Sequence, residues 1–245
     1  MPLANVFDFC LIRSDVPCSA AAVFTTNQFC AAPVVTSKSI LAEHAHQVGG
    51  VVINAGCANA CTGEQGLKDA KTMVALGASK ANIPNALVMS TGVIGPFLPM
   101  EKIEAGFVSA VDSFAKTDST LDGWANASKA IMTTDTQPKC IHRTLEIDGK
   151  KYTMSGICKG AGMIHPNMAT LLGVVATDIS IAPSVLKQAL TYATDRSFNS
   201  ISIDGDTSTN DTVAALANGL APAWKQTSAN KYGQKQRKEC CAAHE

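Results

Sequence analysis

The most informative stretch of the sequence is Cys158-Lys-Gly-Ala-Gly-Met-Ile-His-Pro-Asn-Met-Ala-Thr-Leu-Leu-Gly173. Its glycines and its proline are typical of a loop. The loop leads directly into an apolar segment, Leu171 to Ala176, which predicts a buried strand. Thr170 therefore stands at the boundary between the two, with its hydroxyl at the start of the strand.

The Thr170 hydroxyl could act as a nucleophile if a base accepted its proton. His165 is interpreted as a loop-stabilising residue rather than as that base. If the Ala169–Thr170 bond is cut, Thr170 gains an α-amine with a pKa of about 8, which can take the proton from its own Oγ. The chain can make this cut itself, by attack of Oγ on the Ala169 carbonyl and hydrolysis of the ester. Chemistry alone favours the plainer alternative, in which Thr170 is a β-branched residue that starts a strand.

Three further groups could carry chemistry. Thr91-Gly92 follows an apolar strand and could stabilise an oxyanion, or it could be a simple turn. Lys159 could bind a carboxylate or a phosphate, although the full phosphate-loop motif is missing. Asp204-Gly-Asp206 could bind a metal, but without the rest of a calcium loop we favour a hydrogen-bonded turn.

Composition narrows the class of protein. The chain has 245 residues, of which 46% are hydrophobic and 16% charged, with a formal net charge of +0. A chain of this composition can bury a sizeable hydrophobic core. Its net charge provides no electrostatic attraction for nucleic acid or an anionic membrane. No apolar run reaches the length of a membrane span. The nine cysteines are odd in number and irregularly spaced, which favours reduced thiols; Cys57 and Cys61 lack the second pair of a zinc site.

Hydrophobic periodicity predicts alternating strands and helices, with the segment 33–41 first extended and then helical. The expected strands are 6–14, 20–25, 50–54, 85–90, 171–176 and 200–203. The expected helices are 64–80, 100–114, 121–132, 182–195 and one that begins at 212–217. Asp148-Gly149 predicts a hairpin over 142–158. The fold class is therefore α/β, with a mixed sheet or two sheets.

The loops that follow these elements are rich in Gly, Thr and Asn. If they converge, they form a pocket lined with backbone donors, hydroxyls and one lysine. They are 54–63, 90–95, 133–136, 158–170 and 204–211.

Several motifs of this sequence resemble those of one enzyme family. Lys159 to Gly173 resembles the autocleavage segment of the ornithine acetyltransferases, bifunctional arginine-biosynthesis enzymes with glutamate N-acetyltransferase activity. Other matching segments follow in the family's order across roughly residues 10–219: Ser14-Asp-Val-Pro-Cys-Ser-Ala, Val23-Phe-Thr-Thr-Asn27, Asn54-Ala-Gly-Cys-Ala-Asn-Ala-Cys-Thr-Gly63, Ser90-Thr-Gly-Val-Ile-Gly95, Ile131-Met-Thr-Thr-Asp-Thr136 and Ser197-Phe-Asn-Ser-Ile-Ser-Ile-Asp-Gly-Asp-Thr-Ser-Thr-Asn-Asp211. The cysteine of Asn54-Ala-Gly-Cys57 is similar to the fungal, mitochondrial branch.

The resemblance implies an αββα sandwich of mixed sheets and a set of site residues. Thr170 would be the nucleophile, freed by cleavage after Ala169, and Thr91 and Gly92 would form the oxyanion hole. Substrate-binding positions would be Thr133, Lys159 and Thr170.

The resemblance also implies the reaction. Thr170 would take the acetyl group from N-acetylornithine and pass it to glutamate, and some members also use acetyl-CoA as the donor. We expect no cofactor or metal, and no nucleic-acid or membrane partner. The α and β chains made by self-cleavage would associate as a heterotetramer in the mitochondrial matrix.

The chain departs from the family at its C-terminal side. Family members are longer there and supply a Glu, an Asn and a Ser or Thr to the site, whereas nothing after Gly219 matches. We therefore expect a truncated chain with one family-like domain over 1–219, divided into 1–169 and 170–219, and a disordered basic tail over 220–245. Two alternatives stay open: an N-terminal-nucleophile amidohydrolase or aminopeptidase, and an inactive fragment that associates with a full-length partner.

Overall fold

The computed structural model describes residues 8–114, 121–164 and 171–221. Its strands are β1 (Phe9–Phe24), β2 (Val48–Asn54), β3 (Leu87–Ser90), β4 (Lys139–Ile147), β5 (Lys150–Lys159), β6 (Leu172–Thr177) and β7 (Thr212–Ala217). Its α-helices are α1 (Ala32–His44), α2 (Gly63–Ala81), α3 (Met100–Phe114), α4 (Leu121–Ala130) and α5 (Pro183–Asp195), and a 3₁₀ turn covers Phe198–Ser200. None of the helices in these ranges is both long and apolar enough to cross a membrane.

The strand β1 organises the sheet. The strand order is β3-β2-β1-β7-β6-β5-β4, with parallel pairing for β2–β3 and β6–β7 and antiparallel pairing elsewhere. The first part of β1 pairs with β2 and the part from Ser19 onward pairs with β7. Between the two parts the register slips around Pro17, which has no backbone N–H to donate. This strand therefore belongs to both halves of the sheet.

The two halves face each other across one buried cluster. That cluster contains Val51 and Leu87 from one half and Val174 and Ala214 from the other, and residues of α1 and α4 pack against it. Since successive side chains of a strand point to opposite faces, each half has a second face to cover. On the outer face of β1–β3 lie α2 and α3, and on the outer face of β1 and β7 lies α5. The layer order is αββα, and the expected mixed α/β fold is confirmed.

Local sequence explains several element ends. The β4–β5 turn is Asp148-Gly149, and both residues have positive φ (52° and 72°), the requirement of a two-residue hairpin turn. Helix α2 ends at Asn82, whose left-handed conformation (φ 54°) lets its N–H bond to the Gly77 carbonyl. Asp, Gly and Asn, the residue types at these three positions, tolerate a positive φ better than other residues do.

The seven cysteines in the described ranges are all free thiols. Burial raises the pKa of the Cys10 thiol to about 12. This thiol stays protonated and packs as a small hydrophobic group in the central cluster.

Four element predictions were wrong. The strands expected at 6–14 and 20–25 are one strand, because the Ser-Asp-Val-Pro segment is an irregularity within β1 rather than a turn. Residues 33–41 are helical from the start, as part of α1. Residues 200–203 form the end of a 3₁₀ turn and a loop instead of a strand. Residues 212–217 are strand β7, because pairing with β1 and β6 overrides the helix preference of Ala and Leu.

Candidate active site

The predicted convergence of loops occurs in the described part of the chain. A cleft of about 500 Å³ opens where five loops meet, a volume typical of small-molecule sites. Its lining residues are Asp8, Gly56, Ala58, Thr91, Gly92, Val93, Ile94, Met132, Thr133, Thr134, Lys159, Gly162, Met163, Ser208, Thr209 and Asn210. The structure thus brings Thr91, Gly92, Thr133 and Lys159 to one cleft.

The loops after β2 and β3 hold Thr91 and Gly92 in place. The Thr91 N–H donates to the Asn54 carbonyl (3.0 Å) and the Val93 N–H to the Gly56 carbonyl (3.1 Å). Gly92 has φ +129°, and a Cβ there would lie 2.2 Å from the Gly56 carbonyl carbon. Within the described residues, neither the Gly92 N–H nor the Thr91 hydroxyl has a hydrogen-bond partner. Both donors are available to a group in the cleft.

Lys159 is the buried cation of the site. It ends β5, is only 2% exposed, and donates from Nζ to the Thr133 hydroxyl (3.2 Å). Burial lowers the pKa of the Lys159 ammonium, while the carboxylates of Asp135 and Asp211 oppose that shift. Lys159 and Thr133 therefore form one polar unit at the cleft wall.

Asp135 supports this unit and was missed by the sequence analysis. Its carboxylate accepts hydrogen bonds from Lys139 Nζ (2.5 Å) and from the Gly160 N–H (2.8 Å). Burial alone would raise the pKa of Asp135, but these two hydrogen bonds and the Lys139 charge outweigh it and lower the pKa. The Thr-Thr-Asp segment was part of a matching motif, yet its contact with Gly160 is not readable from spacing.

Asn210 ties three loops together and was also missed. Its Nδ2 donates to the carbonyls of Ala58 (2.6 Å) and Ser90 (2.9 Å). Next to it, Thr25 Oγ1 donates to the Ser208 carbonyl (2.7 Å). The sequence analysis expected the segment 204–211 to line the pocket and weighed Asp204-Gly-Asp206 as a metal loop, but it did not predict the hydrogen bonds by which Asn210 connects the loops.

The hydrogen-bonded turn favoured for Asp204-Gly-Asp206 is confirmed. The Asp204 carboxylate accepts from the N–H groups of Met163 (2.5 Å), Ile164 (2.9 Å) and Asp206 (3.3 Å). These bonds, chiefly the one from Met163, lower the pKa of Asp204. Within the ranges that the structure covers, no group of three or more His, Cys, Asp or Glu could hold a metal ion.

The cleavage residues Ala169 and Thr170, and His165, lie outside the described residues. The first described residue after them is Leu171, whose N–H donates to Asp211 Oδ1 (2.8 Å). Leu172 then pairs with Lys159 on one side and with Thr212 on the other. The catalytic, cleavage and substrate-binding roles assigned to the site residues stay predictions.

Fold and cleft together define an αββα protein with a small-molecule cleft built from strand-end loops, two uncommitted donors and a buried ammonium. Within this class, the chain belongs to the ArgJ family, whose model matches residues 4–243. This confirms the family resemblance from which the site residues were assigned. The match runs past residue 219, and the boundary expected there stays a prediction.

Curated relatives agree with the family match. The mitochondrial arginine biosynthesis bifunctional protein ArgJ of Uncinocarpus reesii is 55% identical over 227 residues, covering 87% of this chain and 49% of the relative. Its Neurospora crassa counterpart is 54% identical over 219 residues, covering 87% and 46%. The chain thus spans about half the length of the curated relatives it matches.

Two solved structures share the fold. The arginine biosynthesis bifunctional protein ArgJ of Bacillus halodurans has a TM-score of 0.62 and 42% identity, with coverage of 68% of this chain and 85% of that one. The ornithine acetyltransferase of Mycobacterium tuberculosis, solved in complex with ornithine, has a TM-score of 0.53 and 30% identity, with coverage of 68% and 84%.

Proposed function

We propose that this chain carries the acetyl-transfer machinery of arginine biosynthesis, moving an acetyl group from N-acetylornithine to glutamate through an acetyl-Thr170 intermediate. The observation that carries the proposal is the cleft, where two uncommitted donors at Thr91 and Gly92 share a wall with the buried Lys159 ammonium. Acyl transfer needs donors for the oxyanion, and an N-acetylated amino acid offers a carboxylate for the ammonium.

The nucleophile is made by self-cleavage. Thr170 Oγ attacks the Ala169 carbonyl, the peptide nitrogen leaves as the new α-amine, and water hydrolyses the resulting ester. The products are a chain that ends at Ala169 and a chain that begins with Thr170. The new α-amine then serves as the base for its own hydroxyl.

Transfer follows in two halves. Thr170 Oγ attacks the acetyl carbonyl of N-acetylornithine, the α-amine takes the Oγ proton, and ornithine leaves with that proton. Glutamate then attacks the acetyl ester with its amino group, and N-acetylglutamate and the free Thr170 hydroxyl are formed. In both halves the Thr91 hydroxyl and the Gly92 N–H would stabilise the oxyanion.

Lys159 and Thr133 would hold the substrate carboxylate. Nζ lies 3.2 Å from Thr133 Oγ1, so both groups can reach one anion. Lys159 is also nearly excluded from solvent, and its charge is therefore weakly screened.

The proposal extends to location and assembly. The matched fungal relatives are named mitochondrial, which supports a mitochondrial location for this chain, and we propose the matrix as its compartment. We propose that the two cleaved chains stay together as an α₂β₂ heterotetramer, that acetyl-CoA can serve as a second acetyl donor, and that no cofactor takes part.

The test is the variant Thr170→Ala, with Thr72→Ala as the control because Thr72 is exposed on α2 and bonds only within its helix. Intact mass measures cleavage between Ala169 and Thr170, and ornithine release measures transfer. Thr170→Ala should lose both, and Thr72→Ala neither. Acetyl transfer that survives in Thr170→Ala would sink the mechanism.

Glutamate dependence separates transfer from hydrolysis. Ornithine release that depends on glutamate supports the transferase, whereas release at the same rate without glutamate assigns an amidohydrolase. No turnover by the pure chain, with recovery on adding the C-terminal half of a fungal relative, would show that this chain works only as part of a larger assembly.

A further inference from the structure

One loop, residues 203–212, contacts the chain on both sides of residues 165–170. On the upstream side, Asp204 accepts hydrogen bonds from the N–H groups of Met163 and Ile164, and the Ile203 N–H donates to the Ile164 carbonyl (2.8 Å). The backbone of the last two described residues before this segment is therefore hydrogen-bonded to a single neighbouring loop, twice through a carboxylate and once through a backbone N–H.

The downstream side has a matching arrangement. Asp211 Oδ1 accepts from the Leu171 N–H (2.8 Å), and the Thr212 N–H donates to the Leu171 carbonyl (3.0 Å). The Asp204 carboxylate accepts two backbone N–H groups on the upstream flank, and the Asp211 carboxylate accepts one on the downstream flank. On each flank one backbone N–H, of Ile203 or of Thr212, also donates to a carbonyl.

The loop that makes these contacts is itself fixed. Asn210 bonds to Ala58 and Ser90, Ser208 accepts from Thr25, and the Ala31 N–H donates to the Thr209 carbonyl (2.9 Å). It is anchored to the same loops that position the proposed oxyanion donors. Residues 208–210, which lie between Asp204 and Asp211, are therefore fixed to the loops around the cleft.

We propose that Asp204 and Asp211 are positioning residues for self-cleavage, which hold the two flanks of the cleaved segment at a fixed separation. This inference rests on the proposed function, since it assumes a cut between Ala169 and Thr170. Attack by a hydroxyl on the preceding carbonyl needs a restricted geometry, and backbone strain persists only where the surrounding structure holds both ends. After the cut, Asp211 would still hold the Leu171 N–H, one residue after the cleaved bond.

The two carboxylates differ in their environment, and the expected effects differ with it. Asp211 is 1% exposed and acts electrostatically on Lys159, whereas Asp204 is exposed and far more accessible to water. Replacement of either by Ala removes an acceptor, and we expect cleavage to slow about tenfold or more, with the larger effect at Asp211. Replacement by Asn keeps one acceptor oxygen. At Asp211 that oxygen can still accept the Leu171 N–H, so Asp211→Asn should restore most of the rate. At Asp204 the Met163 and Ile164 N–H groups use different carboxylate oxygens, so Asp204→Asn should restore the rate only in part.

The experiment follows the full chain after a pulse of expression and measures the cleaved fraction by intact mass over time for Asp204→Ala, Asp211→Ala and the two Asn variants. Asp178→Ala is the control, because its carboxylate accepts the Thr153 N–H (2.9 Å) just beyond the opposite end of β6. It loses the same type of bond and should cleave at the wild-type rate.

The outcomes separate the two proposals. Wild-type chain that is never cut at Ala169–Thr170 overturns the proposed function. Wild-type chain that is cut, with Ala variants cut at the same rate, overturns only the positioning role. A slowing shared by Asp178→Ala, or an Asp211→Asn variant as slow as Asp211→Ala, would assign the effect to lost stability instead and also overturn it. Thermal unfolding of each variant shows which of them fold.

Discussion

Lys159 is enclosed by protein on almost every side, with carboxylates of Asp135 and Asp211 acting on it. Its ammonium is the charge that we expect the substrate to meet. Because burial lowers the pKa of Lys159, the charged form is lost at a lower pH than for an exposed lysine.

The pH profile of kcat/KM for N-acetylornithine should therefore be bell-shaped. The rising limb reports loss of a proton from the Thr170 α-amine, at about pH 8. The falling limb reports loss of the Lys159 ammonium. Asp135→Asn removes a negative charge that raises the pKa of Lys159, so the falling limb should move to lower pH. A falling limb unchanged in Asp135→Asn would contradict this assignment, and an unshifted rising limb is its internal control.

The backbone conformation of Gly92 and its close approach to Gly56 should make any side chain at this position lower the free energy of unfolding. Gly92→Ala combines an unfavourable φ with a Cβ 2.2 Å from backbone, so we expect a loss of about 3 kcal/mol. Gly95→Ala is the control: it has φ +107° but meets nothing within 4 Å, and should cost only about 1–2 kcal/mol. Thermal unfolding measures both, at roughly 2–4 °C per kcal/mol for a chain of this size. Equal losses of unfolding free energy in Gly92→Ala and Gly95→Ala would show that the close approach of residue 92 to Gly56 does not affect stability.

Sequence placed Thr91, Gly92, Thr133 and Lys159 in one site because they match site positions of the family that the chain resembles. It missed Asp135 and Asn210 for a physical reason. Their roles consist of hydrogen bonds to Gly160, 25 residues away, and to Ala58, 152 residues away. Nothing local marks a side chain whose partners are brought to it only by the finished sheet.

At the scale of elements, strand β7 shows where local preference fails. The run Val-Ala-Ala-Leu-Ala suits a helix by propensity, but β7 lies between β1 and β6 and is buried along its whole length. The Asp148-Gly149 hairpin was predicted correctly because its turn is specified by two adjacent residues. The helices α2, α3 and α5 were predicted correctly because their apolar residues recur with helical spacing.

The small residues of β7 are expected to be required by the space around them. Ala214 pairs with Ala22 of β1 and Val174 of β6 and is fully buried. Ala214→Leu should cost about 1–3 kcal/mol through overpacking between the two β-layers. Ala189→Leu on α5 is the matched control, since Ala189 is exposed. Urea unfolding measures the difference, and a tolerated Leu at 214 would show that the layers can separate.

At the scale of the whole molecule, strand β4 forms an edge of the sheet. Within the described residues, β4 pairs only with β5, and all of its residues except Ile147 are exposed. Ile141 and Leu145 are exposed apolar side chains on this strand. An edge of this kind is a template for pairing with another chain.

We expect the chain to self-associate through this edge, and the double variant Ile141→Lys/Leu145→Lys to reduce that association because charges on an edge strand oppose pairing. Light scattering over a concentration series measures it. Val108→Lys, an exposed apolar position on α3, is the control and should change nothing. Association that is equal in all three proteins would place the contact elsewhere.

The shared strand β1 also sets an order of events during synthesis. Thr25, the residue after β1, donates a hydrogen bond to Ser208, which lies 183 residues later in the chain. At roughly 5–20 residues per second, the ribosome needs about 10–40 s after Thr25 to synthesise that partner. Residues 165–170 are made before β7 and before the loop that grips their flanks. If the chain cuts itself as proposed, the Ala169–Thr170 bond would stay intact until residues 203–212 have been made and folded, and the cleaved fraction would report how much of the chain has completed folding.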